Sequence, residues 1–217
     1  MRYRTVLFDV GDTLIGPRGS FGAIYQRVMG ELGLELPAES YNGPMREVMQ
    51  QMNAAIPTGV DRYSHFPGGE LDYWLRFSTQ VLERATGKAV EQKLAEGALQ
   101  KLRVAFVQPW AWQVFPDVVP ALQSLREMGV QLGVVSNWDS RLQRILAMLG
   151  LEEYFEQLGV SHLERVEKPD PRLFRIVMER LKAGPEEALH IGDLPELDGA
   201  GARAAGIDFL LIDRHGN

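Results

Sequence analysis

Short apolar runs alternate with amphipathic segments throughout the second half of the chain, from about residue 109 onward. This alternation is typical of βαβ units, in which helices join parallel strands and cover the sheet. It therefore predicts an α/β fold with a doubly wound, Rossmann-like parallel sheet. The predicted strands are residues 131–136, 157–161, 188–192 and 208–212, and the predicted helices are residues 118–128, 141–149, 171–182 and 197–205.

A fifth apolar run, residues 3–9, stands apart from the others near the N-terminus. A lone strand is not stable, so we expect this run to join the later sheet. Between it and the alternating region, apolar residues recur at the three- and four-residue steps of helices, over residues 21–34, 44–56, 70–85 and 90–107. The sequence thus predicts an α/β core of residues 1–14 and 108–217, with an α-helical insertion at residues 15–107.

The charge and hydropathy of the chain exclude several classes of partner. The 217 residues include 23 Lys and Arg against 29 Asp and Glu, a net charge of −6, and the positive residues are scattered. A nucleic-acid partner is therefore not expected. No run approaches the ~20 apolar residues that span a bilayer, and the first apolar run is too short for a signal peptide. We expect a cytoplasmic protein that binds a small molecule; the oligomeric state leaves no mark in the sequence.

Chemically active side chains follow the predicted strands. Ligands of open parallel sheets bind outside the carboxyl ends of the strands, so these residues would converge at one edge. Two carboxylates there can share a Mg²⁺ ion, and a carboxylate beside a metal can attack phosphorus to form an aspartyl-phosphate. A lysine and a serine would stabilise the charge on the phosphoryl oxygens. The residues in question are Asp9, Ser136, Asn137, Lys168, Asp193 and Asp198.

The ordered motifs that contain these residues resemble those of the haloacid dehalogenase superfamily of hydrolases, in particular its poorly characterised haloacid dehalogenase-like branch. The resemblance spans residues 5 to about 212, and the helical insertion lies where that family carries a helical cap. The motifs are Phe8-Asp9-Val10-Gly11-Asp12-Thr13-Leu14, Val134-Val135-Ser136-Asn137, Lys168-Pro169-Asp170-Pro171 and Gly192-Asp193 followed by Asp198.

The resemblance implies a role for each matching position. It implies that Asp9 is the nucleophile, and that Mg²⁺ is held by Asp9, Asp193 and the main-chain carbonyl of Gly11. The phosphate would be bound by Ser136, Asn137 and Lys168, and Asp198 would orient Lys168 or a metal-bound water from outside the ligand set. The segment 14–20 would be a mobile flap, on which Arg18 is a candidate for binding an anionic substrate.

The chain departs from the family pattern at Gly11. Phosphatases of the family usually carry a second aspartate there, which protonates the leaving oxygen, and glycine at the next position, which is Asp12 here. Positioned acid catalysis contributes roughly 10²–10⁴-fold, so alkyl phosphates should suffer more from its loss than aryl or acyl phosphates. Asp12 either reaches in as a replacement acid or is a turn carboxylate that bonds nearby amides, and we favour the turn.

Three functions are compatible with this pattern. The leading prediction is a Mg²⁺-dependent phosphohydrolase that acts on a small phosphorylated metabolite through an aspartyl-phosphate on Asp9. The alternatives are metal-independent 2-haloacid dehalogenation by the same nucleophile, or binding of a phosphometabolite without catalysis. Dehalogenases of the superfamily also lack the second aspartate, but they lack the Gly192-Asp193 motif as well, and its presence favours Mg²⁺ and phosphate.

Two further residues lie close to these motifs in sequence. His190 stands within an apolar predicted strand, which favours a packed core residue over a catalytic base. Trp138 directly follows Ser136 and Asn137, so it either borders the site or packs beneath it.

Overall fold

Five parallel strands form the main sheet of the computed structural model, which describes residues 2–214 and 216. Their order is β5-β4-β1-β6-β7, and a separate two-stranded sheet contains β2 and β3. The predicted α/β fold with a parallel sheet is confirmed. The strand bounds are β1 (Thr5–Phe8), β2 (Ile15–Pro17), β3 (Trp112–Val114), β4 (Gln131–Ser136), β5 (Gln157–Val160), β6 (Ala188–Gly192) and β7 (Asp208–Leu211).

The N-terminal strand β1 occupies the centre of the five-stranded sheet, as its isolated position in the sequence requires. Phe8 is paired with Val134 of β4 on one side and with Ile191 of β6 on the other. Strand order therefore reverses direction at β1, and in such sheets the ligand site lies at this point, outside the carboxyl ends. The residues that follow β1, β4 and β6 are brought to the same edge.

Helices connect and cover the strands. Within the part of the chain that the structure describes, no helix is both long enough and apolar enough to cross a membrane. The helix bounds are α1 (Phe21–Gly30), α2 (Glu39–Ala54), α3 (Gly69–Thr86), α4 (Gln92–Ala105), α5 (Val118–Glu127), α6 (Leu142–Met148), α7 (Ser161–Glu164), α8 (Pro171–Leu181) and α9 (Ala200–Ala205).

The chain forms two compact units that divide after Gly16 and after Gln113, and Thr58–Asp61 belongs with the first. The first unit contains the five-stranded sheet. The second contains α1 to α4, the helices that the sequence placed in an insertion at residues 15–107. Near its C-terminal boundary the chain makes a short 3₁₀ turn, Pro109–Ala111, before β3 begins.

The second unit is a helical bundle with an aromatic core. Helix α2 packs against α1 and α3, and α4 packs against α1 and α3. Tyr73 lies at the centre of an aromatic cluster, with ring centroids 5.1 Å from Tyr63 and 5.0 Å from Trp74. The predicted start of α2 at residue 44 is wrong: the helix begins at Glu39 and contains Pro44. Proline favours the first helical turn, but burial of Tyr41 extends this helix past it.

Helix α8 anchors the loop that precedes it. Its buried residues recur at three- and four-residue steps and pack in the core of the first unit: Leu173, Phe174, Val177, Met178 and Leu181. Asp170 caps the helix, since its side chain accepts a hydrogen bond from the Arg172 amide at 2.8 Å, and Pro171 occupies the first turn. The segment that carries Lys168 is thereby fixed against the sheet.

Candidate active site

A buried lysine joins two carboxylates at the carboxyl edge of the sheet. The ammonium nitrogen of Lys168 lies 2.7 Å from Oδ1 of Asp9, which follows β1, and 2.6 Å from Oδ1 of Asp198. The exposed fractions are 2% for Lys168, 8% for Asp9 and 0% for Asp198. The charged run around Lys168 in the sequence could have indicated a solvated lysine, but the side chain is buried and paired.

Asp198 is held by the turn that carries it. Its Oδ1 accepts from Lys168 and lies 2.8 Å from Nε2 of His190, while Oδ2 accepts from the Leu194 amide at 3.1 Å. The turn Pro195–Gly199 is a single π-helical turn, where the sequence predicted the start of an α-helix. Gly192 permits this arrangement, because a Cβ there would lie 2.4 Å from Cγ of Asp198.

Charge pairing decides the ionisation of this cluster. Burial opposes the charge on Lys168, but Asp9 and Asp198 outweigh it and hold the pKa of Lys168 above its ordinary value. Burial likewise opposes ionisation of Asp198, but Lys168 and the hydrogen bond from His190 lower its pKa below the ordinary value. The lysine is therefore charged and Asp198 is a carboxylate at neutral pH.

His190 supports the cluster from inside the sheet. Burial lowers the pKa of its imidazole, against the opposing effect of Asp198, so the ring is neutral and Nε2 donates to Asp198. Nδ1 has no hydrogen-bond partner among the described residues, and Phe174 packs edge-on at 4.9 Å between ring centroids. The expectation of a buried histidine is confirmed, but its bond to Asp198 was missed. The requirement that a buried polar group find a partner is the signal that could have indicated it.

Asp193 completes a group of three carboxylates. One ligand atom from each of Asp9, Asp193 and Asp198 lies within 4.8 Å of the others, a spacing compatible with a metal ion. Burial and the charges of Asp9 and Asp198 raise the pKa of Asp193 to about 7. Thr13, which the sequence analysis did not single out, donates to Oδ1 of Asp193 at 3.4 Å. When all three carboxylates are ionised, the single ammonium leaves two negative charges unbalanced.

The residues that end β4 complete this edge of the sheet. Ser136 is 1% exposed and is the last residue of β4. The side chain of Asn137 bonds the backbone of Lys168 at both ends: Nδ2 donates to the Lys168 carbonyl at 3.0 Å, and Oδ1 accepts from the Lys168 amide at 2.7 Å. Asn137 therefore positions the lysine, and its direct binding of phosphate stays a prediction.

Gly11 and Asp12 lie in the turn after β1, and the two residues have different surroundings. Asp12 has φ of +49°, the left-handed conformation that glycine favours, and its amide donates to the Ile15 carbonyl at 2.9 Å. Oδ1 of Asp12 would lie 3.6 Å from a Cβ built on Gly16, and the charge of Asp12 also contributes to the raised pKa of Asp193. This geometry favours the turn interpretation of Asp12. At Gly11, a Cβ would lie 3.3 Å from Cζ3 of Trp138.

Arg18 belongs to the second unit and not to the group around Lys168. Its side chain is exposed, and its amide donates to the Ala111 carbonyl at 2.9 Å. Substrate binding by Arg18 stays a prediction.

Known proteins resemble the chain over nearly its whole length. It is 31% identical to haloacid dehalogenase-like hydrolase domain-containing protein 3 of Bos taurus, covering 98% of this chain and 82% of that protein. It is also 31% identical to the glyceraldehyde 3-phosphate phosphatase of Methanopyrus kandleri, covering 97% and 84%. A solved structure of a putative HAD-hydrolase, YfnB of Bacillus subtilis bound to magnesium, shares the fold with a TM-score of 0.77 at 22% identity, covering 100% and 90%.

The sequence profile described as haloacid dehalogenase-like hydrolase matches residues 3–206, which include all four motifs at the strand ends. The family expected from those motifs is confirmed, and the relatives include a phosphatase. The chain is therefore a hydrolase of the haloacid dehalogenase-like family.

Proposed function

We propose that the protein is a Mg²⁺-dependent phosphohydrolase that acts on a small phosphorylated metabolite through an aspartyl-phosphate on Asp9. The observation that carries the proposal is the buried contact of Lys168 with Asp9 and Asp198, beside Asp193. A cation in contact with a carboxylate nucleophile is suited to a dianionic phosphoryl group, whose charge it offsets. The phosphatase among the relatives supports the same reaction class.

The donor set of the site fits Mg²⁺. The unbalanced carboxylates, and the pKa of Asp193 that burial and their charges raise, are the conditions that a divalent cation relieves. Both oxygens of Asp198 already accept hydrogen bonds, which leaves Asp9 and Asp193 as the carboxylate ligands, with the Gly11 carbonyl as the third protein ligand. When bound, the ion would neutralise charge on the phosphate oxygens and on the nucleophile.

The residues of the chain divide the chemistry between them. A carboxylate oxygen of Asp9 attacks phosphorus and forms a new P–O bond, while the bond between phosphorus and the leaving oxygen breaks. Lys168 neutralises charge on the transferring group, and the Ser136 hydroxyl donates to a phosphate oxygen. Water then hydrolyses the aspartyl-phosphate, which releases inorganic phosphate and regenerates the carboxylate.

Hydrolysis of p-nitrophenyl phosphate tests the proposal, because this ester has a leaving group that needs no proton. Release of p-nitrophenol should require Mg²⁺, stop in excess EDTA and fall by at least about 10³-fold in Asp9→Asn, since the amide is no nucleophile. Circular dichroism and the melting temperature establish that Asp9→Asn is folded. Full activity of that variant contradicts the mechanism.

The same preparation separates the alternatives. Chloride release from 2-chloropropionate that persists in EDTA, without phosphatase activity, indicates dehalogenation. A phosphorylated compound that raises the melting temperature without being hydrolysed indicates a binding protein. The cytoplasmic location expected from the sequence stays a prediction.

A further inference from the structure

Trp138 stands where a side chain at position 11 would project. Cζ3 of its indole is the nearest atom to a Cβ built on Gly11, at 3.3 Å, which is closer than ordinary van der Waals contact. The side chain of Trp138 is only partly buried. An indole in this place excludes a larger residue at position 11 unless the ring moves.

The backbone of Trp138 is fixed by the start of α7. Its amide donates to the Ser161 hydroxyl oxygen at 3.1 Å, and its carbonyl accepts from the Ser161 hydroxyl at 3.2 Å and from the His162 amide at 3.2 Å. Ser161 itself is fully buried. The ring therefore projects from a held segment towards the residue two positions after Asp9.

Position 11 lies two residues after the proposed nucleophile, and its main-chain carbonyl is a proposed ligand of Mg²⁺. The Asp9 amide donates to the Ile191 carbonyl at 2.9 Å, which continues the ladder of β1, and Gly11 forms an isolated bridge with Ile15. The indole is therefore placed beside the turn that follows the proposed nucleophile.

Neither Gly11 nor an indole N–H can protonate a departing oxygen, and the positive φ of Asp12 favours its assignment to the turn. A leaving group beside Gly11 and Trp138 departs as an anion, so weakly basic leaving groups react and alkoxides do not. A flat indole face adds a second preference, since planar rings stack on it favourably.

We propose that Trp138 determines specificity: its indole beside Gly11 selects phosphate monoesters whose leaving group is both weakly basic and planar, such as aryl phosphates. This inference rests on the proposed phosphohydrolase function. It names the substrate class of that site and a residue that recognises it.

Kinetics with three phosphates test the two preferences separately. Phenyl phosphate has a planar, weakly basic leaving group, acetyl phosphate a weakly basic one without a ring, and propyl phosphate a strongly basic one. In the wild type, kcat/KM for phenyl phosphate should exceed that for propyl phosphate by about 10²-fold or more. Trp138→Ala should lower kcat/KM for phenyl phosphate by about tenfold, mainly through KM, and leave acetyl phosphate within about twofold. Trp138→Leu retains an apolar side chain, so its kcat/KM for phenyl phosphate should lie between those of the wild type and Trp138→Ala.

The combined variant tests the spatial relation of the two residues. Gly11→Asp alone leaves the carboxylate against the indole, whereas Gly11→Asp with Trp138→Ala gives it room. The double variant should therefore gain on propyl phosphate by about tenfold or more over either single variant. Equal effects of Trp138→Ala on phenyl and acetyl phosphate, or equal wild-type rates with phenyl and propyl phosphate, overturn the inference.

Binding of non-hydrolysable phosphonates keeps the inference separate from the proposed function. By calorimetry with Mg²⁺ present, the wild type should bind phenylphosphonate about tenfold more tightly than methylphosphonate, and Trp138→Ala should lose that ratio. A wild type that hydrolyses none of the three phosphates refutes the proposed function, while the phosphonate ratio still decides the role of Trp138. A ratio that Trp138→Ala leaves unchanged refutes the inference alone.

Discussion

A buried ammonium is stable only while its partners remain charged, and Lys168 satisfies this condition with two carboxylates. Removing one partner of such a group leaves an uncompensated charge in the interior, which costs more than the pair contributes. Asp198 is the partner that does not take part in the proposed reaction, and it is fixed in turn by His190 and the Leu194 amide. The position of the lysine therefore depends on a histidine three hydrogen bonds away from the nucleophile.

Replacing His190 separates positioning from packing. His190→Phe fills the space between Phe174 and Phe209 but cannot donate to Asp198, so kcat should fall by about 10- to 100-fold, as for other supporting residues. His190→Gln can place a donor near the position of Nε2 and should recover part of that loss. Steady-state kinetics with p-nitrophenyl phosphate, at matched melting temperatures, measure both variants. An equal loss in the two variants contradicts a role for the hydrogen bond.

The candidate site could be predicted from the sequence where residues follow strands. Asp9, Ser136 and Asp193 come at or directly after strand ends, and parallel topology alone brings such residues together. The contacts of Thr13, His190 and Trp138 were not predicted, because they depend on side-chain directions that spacing does not encode. The two hydrogen bonds between the Asn137 side chain and the Lys168 backbone could not be predicted either, since they join residues 31 positions apart.

At the scale of elements, the turn between β1 and β2 is defined by its backbone conformation. Asp12 adopts a positive φ that costs a non-glycine residue about 1 kcal/mol, and Asp tolerates it better than Ala. Asp12→Gly should leave kcat within about threefold and leave the free energy of unfolding unchanged or higher by up to about 1 kcal/mol.

The control for this prediction is Asp12→Ala, which also removes the carboxylate but cannot adopt the turn without strain. It should lower the free energy of unfolding by about 1 kcal/mol relative to Asp12→Gly, measured by urea denaturation. A loss of activity on alkyl phosphates that is the same in both variants, whatever their stabilities, would falsify the turn interpretation and make Asp12 the replacement acid.

The ends of helices and strands could be predicted where the spacing of apolar residues and the capping residues indicate the same boundary. Strands β4 and β6 begin and end at the predicted residues, and α8 ends one residue before its predicted end. The prediction failed at α2, where tertiary burial extends the helix before Pro44, and at residues 195–199, where a π-helical turn replaces the predicted helix start. The second failure lies at the site itself, where the turn directs Asp198 towards Lys168.

At the scale of the whole molecule, the fold collects negative charge at one edge of its sheet. The three carboxylates that follow β1 and β6 lie within a few ångströms of each other, and Lys168 pairs with two of them. Repulsion between like charges held close together destabilises the native state, and the unfolded chain is free of this cost. Binding of Mg²⁺ would remove this cost, so stability should be linked to both pH and metal.

Asp193 determines the pH range in which this cost appears. In the metal-free protein its pKa is about 7 when folded, against an ordinary value of 3.8 that the unfolded chain is expected to show. Between these values the folded state holds a proton that the unfolded state has lost, so ionisation of Asp193 makes stability fall as pH rises from about 4 to about 7. Asp193→Asn cannot ionise and should escape this loss.

The melting temperature of Asp193→Asn, relative to wild type in EDTA, should therefore rise from near zero difference at pH 4 to a gain of a few degrees at pH 8. The partly exposed position of Asp193 keeps the effect moderate, because solvent screens its charge. Saturating Mg²⁺ at pH 8 should raise the melting temperature of the wild type and not that of the variant. The variant should then melt at the same temperature as the wild type, or at a lower one. A difference that stays constant from pH 4 to pH 8 means that the charge of Asp193 is not opposed in the folded protein.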